Sequence, residues 1–167
     1  MSDRTQEHSQ PTQPLNTGPR RVVPLSYAQE RFWFLDQFEA TGVAYNSCKA
    51  ERIFGSLDLD ALDQSLQLIV RRHAVLRTTY PAIDGIPVQH VAEQGSIPLL
   101  LIDLSNREPE KKYSELFNLA QKETQRPFNL ATEFPIRAYL VCLAQQEHVL
   151  LLILHQIVFV GRSVAIL

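Results

Sequence analysis

Ile136-Arg137-Ala138-Tyr139-Leu140-Val141-Cys142-Leu143 and Val149-Leu150-Leu151-Leu152-Ile153-Leu154 are two apolar runs separated by the polar Ala144-Gln145-Gln146-Glu147-His148. Two short apolar runs flanking a brief polar break read as a β-hairpin. The second run has no polar residue at alternate positions, the pattern of a strand buried on both faces. It is also far too short to span a bilayer as a helix. A strand covered on both sides needs layers to cover it, so the rest of the chain must supply a sheet and helices packed upon it.

Working outward, Ser26-Tyr27-Ala28-Gln29 has the pattern of a capping box, a Ser N-cap with Gln three residues on. Ala28, Phe32 and Leu35 follow at helical spacing, which predicts an aromatic-rich helix over residues 26–38. Residues 44–54 read as a strand. Asp58 is positioned to cap a second helix, whose face Leu62, Leu66, Ile69 and Val70 runs up to His73. Residues 76–83 and 87–91 are β-rich runs around the turn signal Asp84-Gly85, a second hairpin. Residues 98–103 form another short strand, and residues 110–125 a helix with Tyr113, Leu116, Phe117 and Ala120 on one side. The expected class is α+β: a mainly antiparallel or mixed sheet with about three helices against it.

The chain has 167 residues, enough for one domain with a real core. A formal charge of −2 and the lack of a basic stripe argue against nucleic-acid binding. Residues 1–19 are rich in Gln, Thr, Ser and Pro and nearly devoid of large apolar residues. Such a stretch cannot bury enough surface to offset its ordering entropy, so residues 1–20 are expected to be a disordered tail, with the folded unit spanning 22–167. No apolar h-region precedes it, and no membrane segment is expected. Cys48 and Cys142 read as reduced thiols, and the compartment expected is the cytoplasm. His8, His90 and His148 share no metal-ligand spacing with each other or with the cysteines, so no metal site is expected. Asp58, Asp60 and Asp63 fit helix capping better than carboxylate catalysis.

Three segments, in order, resemble motifs of the condensation domains of nonribosomal peptide synthetases. Pro24-Leu25-Ser26-Tyr27-Ala28-Gln29-Glu30-Arg31-Phe32-Trp33-Phe34-Leu35 is similar to the family's opening S-x-A-Q-x-R-x-W-x-L. Arg72-His73-Ala74-Val75-Leu76-Arg77-Thr78-Thr79-Tyr80 resembles its R-H-x-x-L-R-T-x-F/Y. His155-Gln156-Ile157-Val158-Phe159-Val160-Gly161-Arg162-Ser163 aligns with its active-site H-H-x-x-x-D-G-x-S. The resemblance implies a chloramphenicol acetyltransferase-like half domain, the N-terminal lobe of a two-lobed V whose complete form is more than twice this length. It implies that the family's reaction joins a carrier-bound acyl or peptidyl thioester to a carrier-bound aminoacyl acceptor, in a tunnel between the lobes. It further implies that no cofactor is bound directly and that the substrates ride on the phosphopantetheine of carrier proteins.

The third motif departs from the family at its chemical positions. Gln156 stands at the place of the catalytic His, and a carboxamide does not titrate in the useful range. Its neighbour His155 reads as a hydrogen-bonded structural histidine, since adjacent residues of a strand face opposite ways. Val160 replaces the Asp that the resemblance casts as structural, ion-paired to an arginine; Arg77 is the candidate partner left without its anion and in need of another acceptor. Gly161 and Ser163 remain and suit a tight turn, whereas Arg162 stands where an aromatic residue is frequent. Ser26, Gln29 and Arg31 belong to a structural motif. Arg72 reads as a solvated helix end, and His73 as a group stabilising the last helical carbonyls. Three functions are expected to compete: a truncated, inactive condensation domain; a non-catalytic module that docks a carrier protein or a synthetase neighbour; and a split enzyme completed by a second lobe from another chain.

Overall fold

The computed structural model describes residues 20–38 and 42–159. Of the tail expected over residues 1–20, residues 1–19 lie outside the described residues, as do Val160, Gly161, Arg162 and Ser163 of the third motif, whereas Arg20 already opens a strand, Arg20–Pro24, two residues before the expected start of the fold at 22.

Two sheets organise the described residues. The larger has the strand order β2-β8-β7-β6, built from β2 (Asn46–Phe54), β6 (Leu99–Asp103), β7 (Ile136–Ala144) and β8 (Glu147–His155). β7 and β8 are the hairpin read from the sequence, but its turn is tighter than the polar stretch implied: strand pairing continues to Ala144 and Glu147, with a bulge between Cys142 and Ala144. Val149, Leu151, Ile153 and Leu154 are buried, whereas Leu150 and Leu152 on β8 are half-buried. β6 runs parallel to β7, Leu99 beside Ala138 and Asp103 beside Cys142, and helix α3 (Pro109–Thr124) makes the crossover that a parallel pair requires. The edge strand β2 pairs antiparallel with β8 along its whole length, Asn46 opposite His155.

The smaller sheet is antiparallel. β1 (Arg20–Pro24) and the two-residue β3 (Thr78–Thr79) flank β5 (Ile86–Ala92), and β4 (Ala82–Ile83) turns back onto β5. The β4–β5 turn has positive φ at both Asp84 (51°) and Gly85 (79°), as the sequence signal required. The strand expected over residues 76–83 is interrupted. Ala74–Arg77 form a 3-10 turn, and the Tyr80 N–H bonds Leu130 O at 2.7 Å rather than a strand partner. Pro81 has no N–H to continue the ladder.

Helix α1 (Tyr27–Phe38) starts on a reciprocal capping box: Ser26 N–H donates to Gln29 Oε1 at 2.9 Å, and Gln29 N–H to Ser26 Oγ at 3.3 Å. Helix α2 (Leu59–Arg72) is capped by Asp58, whose side chain accepts from Ala61 N–H at 3.0 Å. Leu66 and Val70 are its buried residues. In α3 the inward stripe differs from the one expected. Leu116, Leu119 and Ala120 pack on the core and Glu123 is buried, at spacing i, i+3, i+4, i+7, while Tyr113 and Phe117 face outward. The Tyr113 hydroxyl is held by Arg52 at 2.8 Å, so an aromatic residue on the helix here marks a surface contact with β2.

Candidate functional site

β8 delivers His155 and ends there; Gln156–Val158 form a 3-10 turn. The backbone of this turn is tied on three sides. His155 N–H donates to Pro135 O at 3.1 Å, Gln156 N–H to Tyr45 O at 2.7 Å, and Phe159 N–H to Gln156 O at 2.9 Å. Gln156 is half-buried, and its side chain makes no hydrogen bond among the described residues. His155 is wholly buried. Its Nδ1 accepts from Ile157 N–H at 3.1 Å, and its Nε2 lies 3.4 Å from Asp36 Oδ1 on α1. The rings of Tyr45 and Phe128 stand edge-on to the imidazole, 6.3 and 6.2 Å away between centroids.

A second ring of contacts supports this end of the sheet. Asn46, opposite His155, donates from Nδ2 to Thr124 O and Arg126 O, both at 3.0 Å, which ties β2 to the end of α3. Tyr139 on β7 donates to Glu123 Oε2 at 2.5 Å, and Arg126 Nε sits 3.0 Å from the same oxygen. Burial first, then the Glu123 carboxylate beside it, pushes the Tyr139 hydroxyl well above the ordinary tyrosine range. The Arg137 guanidinium lies 3.7 Å over the Phe128 ring and donates to Arg126 O and Pro127 O.

The other residues singled out from the sequence sit elsewhere. Gln29, inside the first capping box, donates from Nε2 to Gln89 Oε1 at 3.2 Å and toward the Tyr80 hydroxyl at 3.4 Å. Trp33 donates to Tyr80 O at 2.9 Å, so the first motif seats α1 against the smaller sheet. Burial raises the Tyr80 hydroxyl far above its ordinary range. Arg31 and Arg72 are exposed, and the His73 backbone N–H caps α2 by bonding Ile69 O at 2.9 Å. Arg77 donates to the backbone carbonyls of Ala92 and, at 3.5 Å, Arg71, although its buried Nε has no hydrogen-bond partner among the described residues. The third motif's neighbours Asp36, Asn46 and Glu123 escape a reading of the sequence by motif. For Asp36 a signal existed: it lies one turn beyond Phe32 on the same helix face, where a carboxylate is out of place unless something inside receives it.

The arrangement presents one uncharged carboxamide at 156 beside an imidazole whose two nitrogens both face inward. No group of His, Cys, Asp and Glu able to hold a metal ion occurs among the described residues. Cys48 and Cys142 are free, and burial raises both thiols, so neither is an activated nucleophile.

Comparison with known proteins covers almost all of the described chain. Residues 19–167 match the Condensation domain family. A linear gramicidin synthase of Brevibacillus parabrevis is 40% identical over 144 residues, which is 86% of this chain and 3% of that protein. Phosphinothricin tripeptide synthetase PhsC of Streptomyces viridochromogenes is 37% identical over 157 residues, 94% of this chain and 14% of that protein. The chain therefore spans a small part of the curated relatives it matches. Among solved structures, the starter condensation domain of rhizomide synthetase superposes with a TM-score of 0.79 at 18% identity, over 87% of this chain and 35% of that one. The X-domain from teicoplanin biosynthesis, solved in complex with OxyB, gives a TM-score of 0.70 at 26% identity, over 87% of this chain and 31% of that one.

Proposed function

The chain belongs to the condensation-domain family of nonribosomal peptide synthetases, and from that premise we propose that this lobe no longer supplies the proton acceptor for amide formation. The family's reaction attacks a donor thioester with an acceptor amine. The new C–N bond forms, the C–S bond breaks, and the amine nitrogen must shed a proton. An imidazole suits that transfer because it titrates near neutral pH.

One observation carries the reading. At the end of β8 Gln156, which the motif resemblance aligns with the family's catalytic His, cannot titrate, and the adjacent imidazole of His155 is wholly buried, with Nδ1 holding Ile157 N–H and Nε2 turned to Asp36. The neighbour cannot stand in for the missing base. Gln156 retains donors and an acceptor that orient an amine by hydrogen bonding, but the loss of a general base lowers a rate by about 10²- to 10⁴-fold.

The test loads donor and acceptor carrier proteins with aminoacyl groups on phosphopantetheine and follows dipeptidyl thioester. Solved condensation-domain chains are about three times the span matched here, so the assay is run with and without a separately expressed second lobe. The unmodified protein is expected to give no product above background in either case. Gln156→His with Val160→Asp is expected to give product once the second lobe is present. Turnover by the unmodified protein, comparable with the double variant, overturns the proposal.

A second reading is favoured by a specific likeness. The teicoplanin X-domain, 26% identical to this chain, was solved in complex with OxyB. A condensation-type fold thus serves as a docking surface for another protein, and this lobe fits the role of a non-catalytic module for a carrier protein or a synthetase neighbour. Saturable binding of a carrier protein that is unchanged by substitution at Gln156 supports this reading.

A further inference from the structure

The turn that carries position 156 is fixed by groups other than the residue at 156. His155 Nδ1 accepts from Ile157 N–H at 3.1 Å. A ring nitrogen that accepts a hydrogen bond carries no proton, so the neutral imidazole keeps its proton on Nε2. A doubly protonated ring would forfeit the Ile157 bond. Nε2 faces Asp36 Oδ1 at 3.4 Å, in a geometry short of a hydrogen bond, and among the described residues neither atom has a hydrogen-bond partner. The Asp36 side chain is only 8% exposed and the imidazole not at all. Gly42, in its positive-φ conformation, leaves the space beside the Asp36 carboxylate open; a Cβ there would stand 4.0 Å from Oδ1 and 3.2 Å from Pro127. Tyr45 and Phe128 flank the imidazole, and Phe32 packs edge-on against Tyr45. Buried polar groups call for a partner, and among the described residues the imidazole Nε2 of His155 is the group that the structure places against Asp36 Oδ1.

We propose that Asp36 is a positioning residue for the site at 156. Its carboxylate holds the His155 proton on Nε2, which leaves Nδ1 free to take Ile157 N–H and so sets the Gln156–Val158 turn. α1 thereby reaches the end of β8 through one imidazole. The role is independent of which side chain occupies 156, so it stands whether or not the lobe is active.

The test is nitrogen NMR of the protein labelled with ¹⁵N-histidine, together with amide exchange at Ile157. In the unmodified protein His155 is expected to show an unprotonated Nδ1 and a protonated Nε2. Asp36→Asn keeps a carbonyl acceptor for Nε2–H and is expected to preserve this signature, with Ile157 exchange within about threefold of the parent. Asp36→Leu fills the space without an acceptor, and is expected to abolish the single-tautomer signature and speed Ile157 exchange about tenfold, the effect of losing one ordinary hydrogen bond. A proton on Nδ1 in the unmodified protein overturns the proposal, and so does Asp36→Leu retaining both signature and protection, the result of a role in packing alone. Should Asp36→Leu unfold, loss of the signature in a folded Asp36→Asn overturns it equally.

Discussion

Replacing Tyr139 by Phe deletes a single oxygen from the network that fastens α3 to the central sheet. Tyr139 is 3% exposed and Glu123 7%, and the hydroxyl donates to the carboxylate at 2.5 Å. A buried hydrogen bond to a charged group contributes about 1.5–3 kcal/mol. Glu123 keeps Arg126 at 3.0 Å, so the substitution stops short of the ~3–5 kcal/mol that follows when a buried charge loses its last partner. The expected loss is about 2 kcal/mol, a fall in Tm of roughly 4–8 °C for a chain of this size. Urea unfolding measures it, with the midpoint lowered and the slope unchanged. Glu123→Gln and the double variant complete a cycle in which the pair couples by about 1 kcal/mol or more. The consequence reaches the site, because Thr124 O and Arg126 O at the end of α3 hold Asn46, and Asn46 lies opposite His155. A change below about 0.5 kcal/mol, or a fully additive cycle, refutes the assignment of this network as a fastening.

Gly95→Ala places a Cβ 2.7 Å from Phe134 Cε2 and 3.1 Å from Arg77 Cβ; with Phe134 2% exposed the ring has little room to yield, and a thermal melt is expected to show about 1–3 kcal/mol of destabilisation. Alkaline pH should unfold the protein through Tyr80 and Tyr139, both held above the ordinary range first by burial. A raised acid contributes stability that is complete below the unfolded pKa, about 10, and is lost as pH climbs past it, by up to ~1.4 kcal/mol per pH unit for each group. Tyr139→Phe removes one of the two, so its stability should fall less steeply than the parent's above pH ~10; parallel limbs in pH-dependent urea titrations count against the assignment.

What the sequence made legible was local. Ser26 with Gln29, Asp58 before α2 and Asp84-Gly85 each combine residues a few positions apart, and each makes the contacts its spacing foretold. What escaped was decided at a distance. Residues 76–83 have strand composition, yet Tyr80 N–H finds Leu130 O and Ala74–Arg77 wind into a 3-10 turn. Tyr113 and Phe117 are aromatic, yet the stripe ending in Glu123 turns inward because Tyr139 and Arg126 receive its carboxylate. The division of the strands into two sheets depends on which edges meet, a choice no periodicity records. At the site the third motif was visible as a string, but Asp36, contributed by the first helix, acquires its meaning only from the imidazole it faces.

The two adjacent positions 155 and 156 answer to different physical demands. Gln156 is held by its backbone, through N–H to Tyr45 O and O from Phe159 N–H, and its side chain takes no part in hydrogen bonding among the described residues. A carboxamide or an imidazole there changes the chemistry on offer without withdrawing a side-chain hydrogen bond made among the described residues. His155 is the reverse case. Its removal would leave Ile157 N–H unpaired inside the protein, about 1–3 kcal/mol for a buried donor, and would take away the imidazole that stands 3.4 Å from Asp36 Oδ1. Arg77 adds a parallel instance, since the carbonyls of Ala92 and Arg71 accept from its guanidinium without an anion from position 160. Folding therefore constrains 155 and leaves 156 free. On the proposed reading, a histidine at 155 next to a glutamine at 156 is the combination expected when the structure of this lobe is retained and proton transfer is not.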